Sequence, residues 1–155
     1  DFTGVKGKRK VPMMHNYGNY NYCEYGGFEA IELPYGNGDY VMTVMISKSE
    51  DRLSPEVMSG IVSAMKKEYI SLGFPKFETE TDISEFPISL VKFDSFRHVA
   101  KINVDEEGTE AAAVTVIGDG AIAPNAPREL IFNQPFYYVI TQKTTGIILF
   151  VGYYC

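Results

Sequence analysis

Residues 101–116 read KINVDEEGTEAAAVTV, and this stretch decides the fold. The part from Glu106 to Ala113 has the composition of a short helix, but Gly108 within it and the β-branched residues beyond Ala113 oppose one. Read as a strand over 109–117, one face carries Thr109, Ala111, Ala113, Thr115 and Ile117, mostly small, and the other carries Glu110, Ala112, Val114 and Val116. A segment that stays a loop has no reason to alternate in this way. A segment that slides into an existing sheet does, because small inward residues pass without clash and its backbone groups gain partners. Gly108 is then the hinge, since glycine turns there without steric cost. On these residues alone, an edge strand followed by a Gly/Pro-rich loop fits as well.

The segments on either side are strands. Upstream, residues 96–105 (FRHVAKINVD) alternate, with Phe96, His98, Ala100, Ile102 and Val104 on the apolar face. Downstream, 136–141 and 146–152 are apolar on both faces, which places them centrally in a covered sheet. Nearer the start, strands are expected at 11–14, 20–25 and 28–33. The turn PYGNGDY, with its Asn37-Gly38, leads into an almost wholly apolar strand at 40–46. One helix is expected. Ser54 caps it, Pro55 and Glu56 open it, and Met58, Ile61, Val62, Met65 and Tyr69 form one apolar stripe. Lys66 and Lys67 suit its last turn, and Gly73 lies where the chain leaves it.

Composition sets outer limits. With 155 residues, 45% hydrophobic and 14% aromatic, the chain can bury the core of one domain, and its eleven Tyr and ten Phe favour strands. A net charge of −6 opposes general nucleic-acid binding, which needs clustered Lys and Arg. The one basic cluster, Lys6, Lys8, Arg9 and Lys10, reads as a solvated loop beside a strand, so no heparin-like polyanion is expected as a partner. No apolar run reaches the roughly 18 residues of a membrane-spanning helix. Cys23 and Cys155 make neither a disulfide framework nor, with two scattered histidines, a metal site, and no cofactor is expected.

The chain resembles the C-terminal portion of the serpins, the serine protease inhibitor superfamily, on six matches in order. KINVDEEGTEAAAVTV resembles the family's hinge. VPMM at 11–14 is similar to a strand of its third sheet, and IELPYGNGDYVMTVMI at 31–46 to its buried B-sheet hairpin. FPKFETE at 74–80 looks like the strand entering sheet A, while FNQPFYYVI at 132–140 and TGIILFVG at 145–152 resemble the closing strands of sheet B. The resemblance implies an α+β fold, predominantly antiparallel β, with parts of sheets A, B and C and one clear helix. Residues 1–155 would be a single partial domain whose reactive-centre loop covers about 106–130. The family's N-terminal half, and a few tens of residues near Glu85, Phe86 and Pro87, have no counterpart in this sequence.

The resemblance also implies a function. A serpin is a suicide substrate: a protease attacks its loop, forms an acyl-enzyme, and the loop then inserts into sheet A. The protein would be an inhibitor of serine, or alternatively cysteine, endopeptidases and not an enzyme. It would act outside the cell, with the N-terminal remainder of the fold and the target protease as partners. The hinge maps to Glu106, Glu107, Gly108, Thr109, Glu110, Ala111, Ala112 and Ala113. The family's spacing places the reactive bond at Ile122–Ala123, which points to an elastase-like target; Ala121 and Arg128 are the next choices, Arg128 implying a trypsin-like one. His98 falls on a structural histidine under sheet A, and Lys76 and Glu106 on a pair that fixes the top of the loop. Asp119 would face inward late in insertion, at a burial cost. That leaves open a non-inhibitory serpin-fold carrier, chaperone or storage protein. A hydrolase built on Cys23 with His15 or His98 lacks a nucleophile-elbow pattern.

Overall fold

Strand pairing starts from the turn around Asn37. The Gly38 N–H donates to the Tyr35 carbonyl at 2.8 Å, Gly36 and Gly38 take positive φ, and the Asn37 amide bonds Asp39. This turn closes β4 (Phe28–Tyr35) onto β5 (Tyr40–Ser47) in unbroken antiparallel register from Phe28↔Ser47 to Tyr35↔Tyr40. Val41 through Ile46 are all buried, as the apolar run predicts. The structure is a computed structural model that describes residues 1–48, 53–82, 99–104 and 127–155, without the side chains of 79–82 and 99–103.

Around this hairpin lies a seven-stranded sheet. It adds β3 (Met13–Tyr25), β6 (Lys66–Pro75), β9 (Arg128–Ile131), β10 (Phe136–Gln142) and β11 (Ile148–Tyr154). The order is β11-β10-β5-β4-β3-β6-β9, antiparallel except for the parallel pair β6–β9. Two smaller ladders pair β1 (Phe2–Gly4) with β2 (Gly7–Arg9), and β7 (Phe77–Asp82) with β8 (Val99–Val104). Among the described residues one helix, α1 (Pro55–Ala64), covers part of one face, where Ile61 packs on Cys23, Phe28, Ala30, Met45 and Val139. The larger core lies on the other face and centres on aromatic rings.

Four expectations are corrected. The helix begins as expected, with Ser54 Oγ accepting the Val57 N–H at 3.3 Å, but it ends at Ala64. Met65 turns extended (φ −57, ψ 132), and Lys66, Lys67, Tyr69 and Gly73 belong to β6. The reason is pairing: Lys66–Pro75 runs in register against Met13–Tyr22. A ladder of that length outweighs helix propensities, which separate ordinary residues by about 0.7 kcal/mol at most. Second, 13–25 is one strand and not two. Third, among the described residues β10 is central but β11 is an edge, with Leu149, Val151 and Tyr153 exposed. Fourth, Arg9 is engaged and not merely solvated; its guanidinium stacks over Phe2 and Tyr154 and donates to the Cys155 carbonyl at 2.8 Å.

Gly152 carries a testable constraint. A Cβ built there would lie 2.1 Å from the Tyr138 ring. Gly152→Ala should therefore destabilise the protein by about 1–3 kcal/mol through overpacking. Chemical denaturation should show it, and Tyr138→Leu in the same chain should recover part of the loss.

Candidate functional site

Hinge residues Glu106–Ala113, and Ala121, Ile122 and Ala123, lie outside the described residues, as do His98 and Asp119. What is described is how the segment 105–126 is held at each end. It leaves from Val104, a buried residue opposite Phe77 in the β7–β8 ladder. It rejoins at β9, where Arg128 pairs with Ile70 and Leu130 with Leu72. Both anchors enter one core. Val104, Phe77, Leu130 and Phe132 belong to the same buried cluster, in which Phe74 meets Phe132 at 5.3 Å and Phe77 at 6.0 Å between ring centroids.

At the second anchor Arg128 is clamped. Its Nε donates to Glu68 Oε1 at 2.6 Å and its Nη1 to Glu24 Oε1 at 3.0 Å, while its guanidinium lies 5.0 Å from the Tyr22 ring centre. The same Glu24 oxygen accepts the Tyr22 hydroxyl at 3.0 Å, and Lys48 bonds the other oxygen at 2.5 Å. The Tyr22 hydroxyl also lies 2.8 Å from Glu29 Oε1, so its single proton is shared between the two carboxylates. The clamp joins β9 to β6 and β3 by charge as well as by backbone. Hydrogen bonds from Lys48 and then Tyr22 hold the Glu24 carboxyl below its ordinary range. Burial first, then hydrogen bonds to Glu29 and Glu24, push the Tyr22 hydroxyl far upward. The sequence reading missed this network, because nothing in local spacing links residue 128 to residues 24 and 68.

Lys76 sits between β6 and β7, its N–H donating to the Pro12 carbonyl at 2.9 Å; its expected partner Glu106 is outside the described residues. Cys23 is buried, its thiol donates to the Ile61 carbonyl at 3.4 Å, and burial raises its pKa. That is the reverse of what a nucleophilic thiol needs.

A family model described as Serpin (serine protease inhibitor) matches residues 1–88 and 82–155. The chain belongs to the serpin family. Its relatives include an uncharacterized serpin-like protein of Methanosarcina mazei, 30% identical over 92% of this chain and 41% of that one. Serpin-Z1 of Arabidopsis thaliana is 28% identical over 98% of this chain and 46% of its own. This serpin chain thus spans less than half the length of these curated relatives. Among solved structures, native protease nexin-1 with heparin aligns at a TM-score of 0.73 and 22% identity, covering 99% of this chain and 48% of that one. The α+β architecture with one helix is that of a serpin's C-terminal portion. The two family matches overlap at residues 82–88.

The clamp yields a pH prediction. Glu24 has a lowered pKa, so its contribution is fully present above the ordinary glutamate value of about 4.3 and is lost as pH falls through the lowered one. Glu24→Gln should lower the melting temperature at neutral pH. The difference from the unsubstituted protein should shrink in acid, where both side chains are uncharged; a difference independent of pH would disprove the charge role.

Proposed function

We propose that the full-length serpin inhibits an extracellular serine protease, or alternatively a cysteine protease, as a suicide substrate, with 106–127 as its reactive-centre loop; residues 128–130, counted in the loop by the sequence resemblance, belong to β9. The observation that carries this reading is the small-residue hinge face, Thr109, Ala111, Ala113 and Thr115, which begins in the sequence five residues after the end of β8 at Val104. Among the described residues β8 has a strand on one side only, β7, so the hinge follows a strand with an edge able to take another. The target protease and the N-terminal remainder of the fold are the partners of this reading. The protease forms its acyl bond at Ile122–Ala123, and the small aliphatic residues there fit an elastase-like enzyme. The alternative bond at Arg128 would require a side chain that is already engaged by Glu68 and Glu24 in a strand. No catalytic residue of this chain is needed, since the chemistry belongs to the protease.

Asp119 and its flanking glycines favour a second reading, a non-inhibitory serpin-fold carrier, chaperone or storage protein. The full-length protein incubated with an elastase-like protease separates the two. The inhibitory reading expects a complex stable in SDS and a C-terminal peptide that begins at Ala123 by intact mass. Clean cleavage without a covalent complex would overturn it. Ala111→Arg places a charge on the inserting face and should turn the inhibitor into a plain substrate, cleaved with little complex formed.

A further inference from the structure

The seven-stranded sheet is split along part of its length. β3 pairs with β6 from Met13 to Tyr22, yet it pairs with β4 only from Asn21 to Tyr25. The next partners on β4 would be Leu33 and Pro34, and proline has no N–H to continue a ladder. Beyond Glu32, β4 stays with β5 and parts from β3. The gap is a cleft of about 510 Å³, with Asn16, Tyr17 and Asn19 on one wall and Pro34 and Val41 on the other.

Among the described residues the edge of β3 in this cleft is open. The Tyr17 N–H bonds the side chain of its own neighbour, Asn16 Oδ1, at 2.8 Å, so it points away from β6. Backbone groups alternate along a strand, so those of His15 and Asn19 point the same way. Among the described residues no strand pairs with this edge. Charge lines the cleft unevenly. Lys67, Asn21 and Glu32 form one row across β6, β3 and β4. Glu32 is answered by the Asn21 amide at 2.6 Å and by Lys143 at 3.8 Å. Lys67 has no carboxylate partner among the described residues, which leaves the row with a spare positive charge. Tyr17 and Tyr69 stand exposed beside it.

We propose that this cleft is a β-augmentation site that takes an extended peptide of a partner protein, bearing an acidic side chain, as an added strand on the open edge of β3. Main-chain groups of His15, Tyr17 and Asn19 would pair with the peptide, displacing the Asn16 amide from the Tyr17 N–H. Lys67 meets the acidic side chain, and the Tyr17 and Tyr69 rings cover its apolar neighbours. Amides and tyrosines also suit a saccharide, but a saccharide leaves a row of strand donors and acceptors unused.

The test uses the full-length, uncleaved protein and a short acetylated, amidated peptide of alternating glutamate and valine. Fluorescence anisotropy should show saturable binding, and hydrogen exchange should slow at the Tyr17 and Asn19 amides. Lys67→Glu should weaken binding by roughly tenfold and shift preference to the lysine–valine counterpart. Pro34→Val, which restores an N–H for β4 to pair with β3, should abolish binding without touching Lys67. Three results would overturn the proposal: no binding, equal binding of the lysine–valine peptide, or amides of Tyr17 and Asn19 already protected before peptide is added. The last would mean that another part of the protein fills the cleft.

Discussion

The structure depends on a cluster of aromatic rings between the seven-stranded sheet and the β7–β8 ladder. Phe77 lies 4.6 Å from Tyr154 and 5.6 Å from Phe136, while Phe136 meets Phe74 at 5.4 Å and Phe132 at 5.5 Å. These contacts couple strands that are far apart in sequence: β6, β7, β10, β11 and the residue that follows β9. Burying rings of this size supplies much of the core's driving force, and their edge-to-face packing adds direction to it. Because Val104 and Leu130 enter the same cluster, the two ends of the intervening segment are set by one piece of packing.

Charge refines what packing sets. β9 is four residues long, lies at the edge of the sheet among the described residues and pairs in parallel, a less favourable ladder per residue. Arg128 offsets that weakness by reaching across β6 to Glu24 on β3 and by resting on the Tyr22 ring. The clamp is solvent-exposed and so modest in energy, but it is directional: a bent or shifted β9 would break three contacts together.

Sequence reading succeeds where a local pattern and a tertiary partner agree. The Asn37-Gly38 turn, the buried run of β5 and the Ser54 cap were legible for that reason, and the hinge motif identified the family. It failed where two patterns overlap. Tyr69 continues the helical spacing from Met58, yet Ile70, Leu72 and Phe74 alternate as a strand, and the longer-range pairing with β3 wins. In β11 the apolar outward face promised cover that the described residues do not contain. The Arg128 network was illegible because its members are 60 and 104 residues apart. The loop itself is legible only as sequence, since 105–126 lies outside the described residues.

The parallel pairing of β6 with β9 makes everything between them a crossover connection, and a crossover can be cut without untying the strands it joins. After a break anywhere in 105–126, the piece from 127 onward still has β9 zipped to β6 and β10 lying between β5 and β11. Its Leu130, Phe132, Phe136 and Tyr138 stay buried among residues of the other piece. A nicked chain is therefore a two-fragment assembly held by a shared sheet and core.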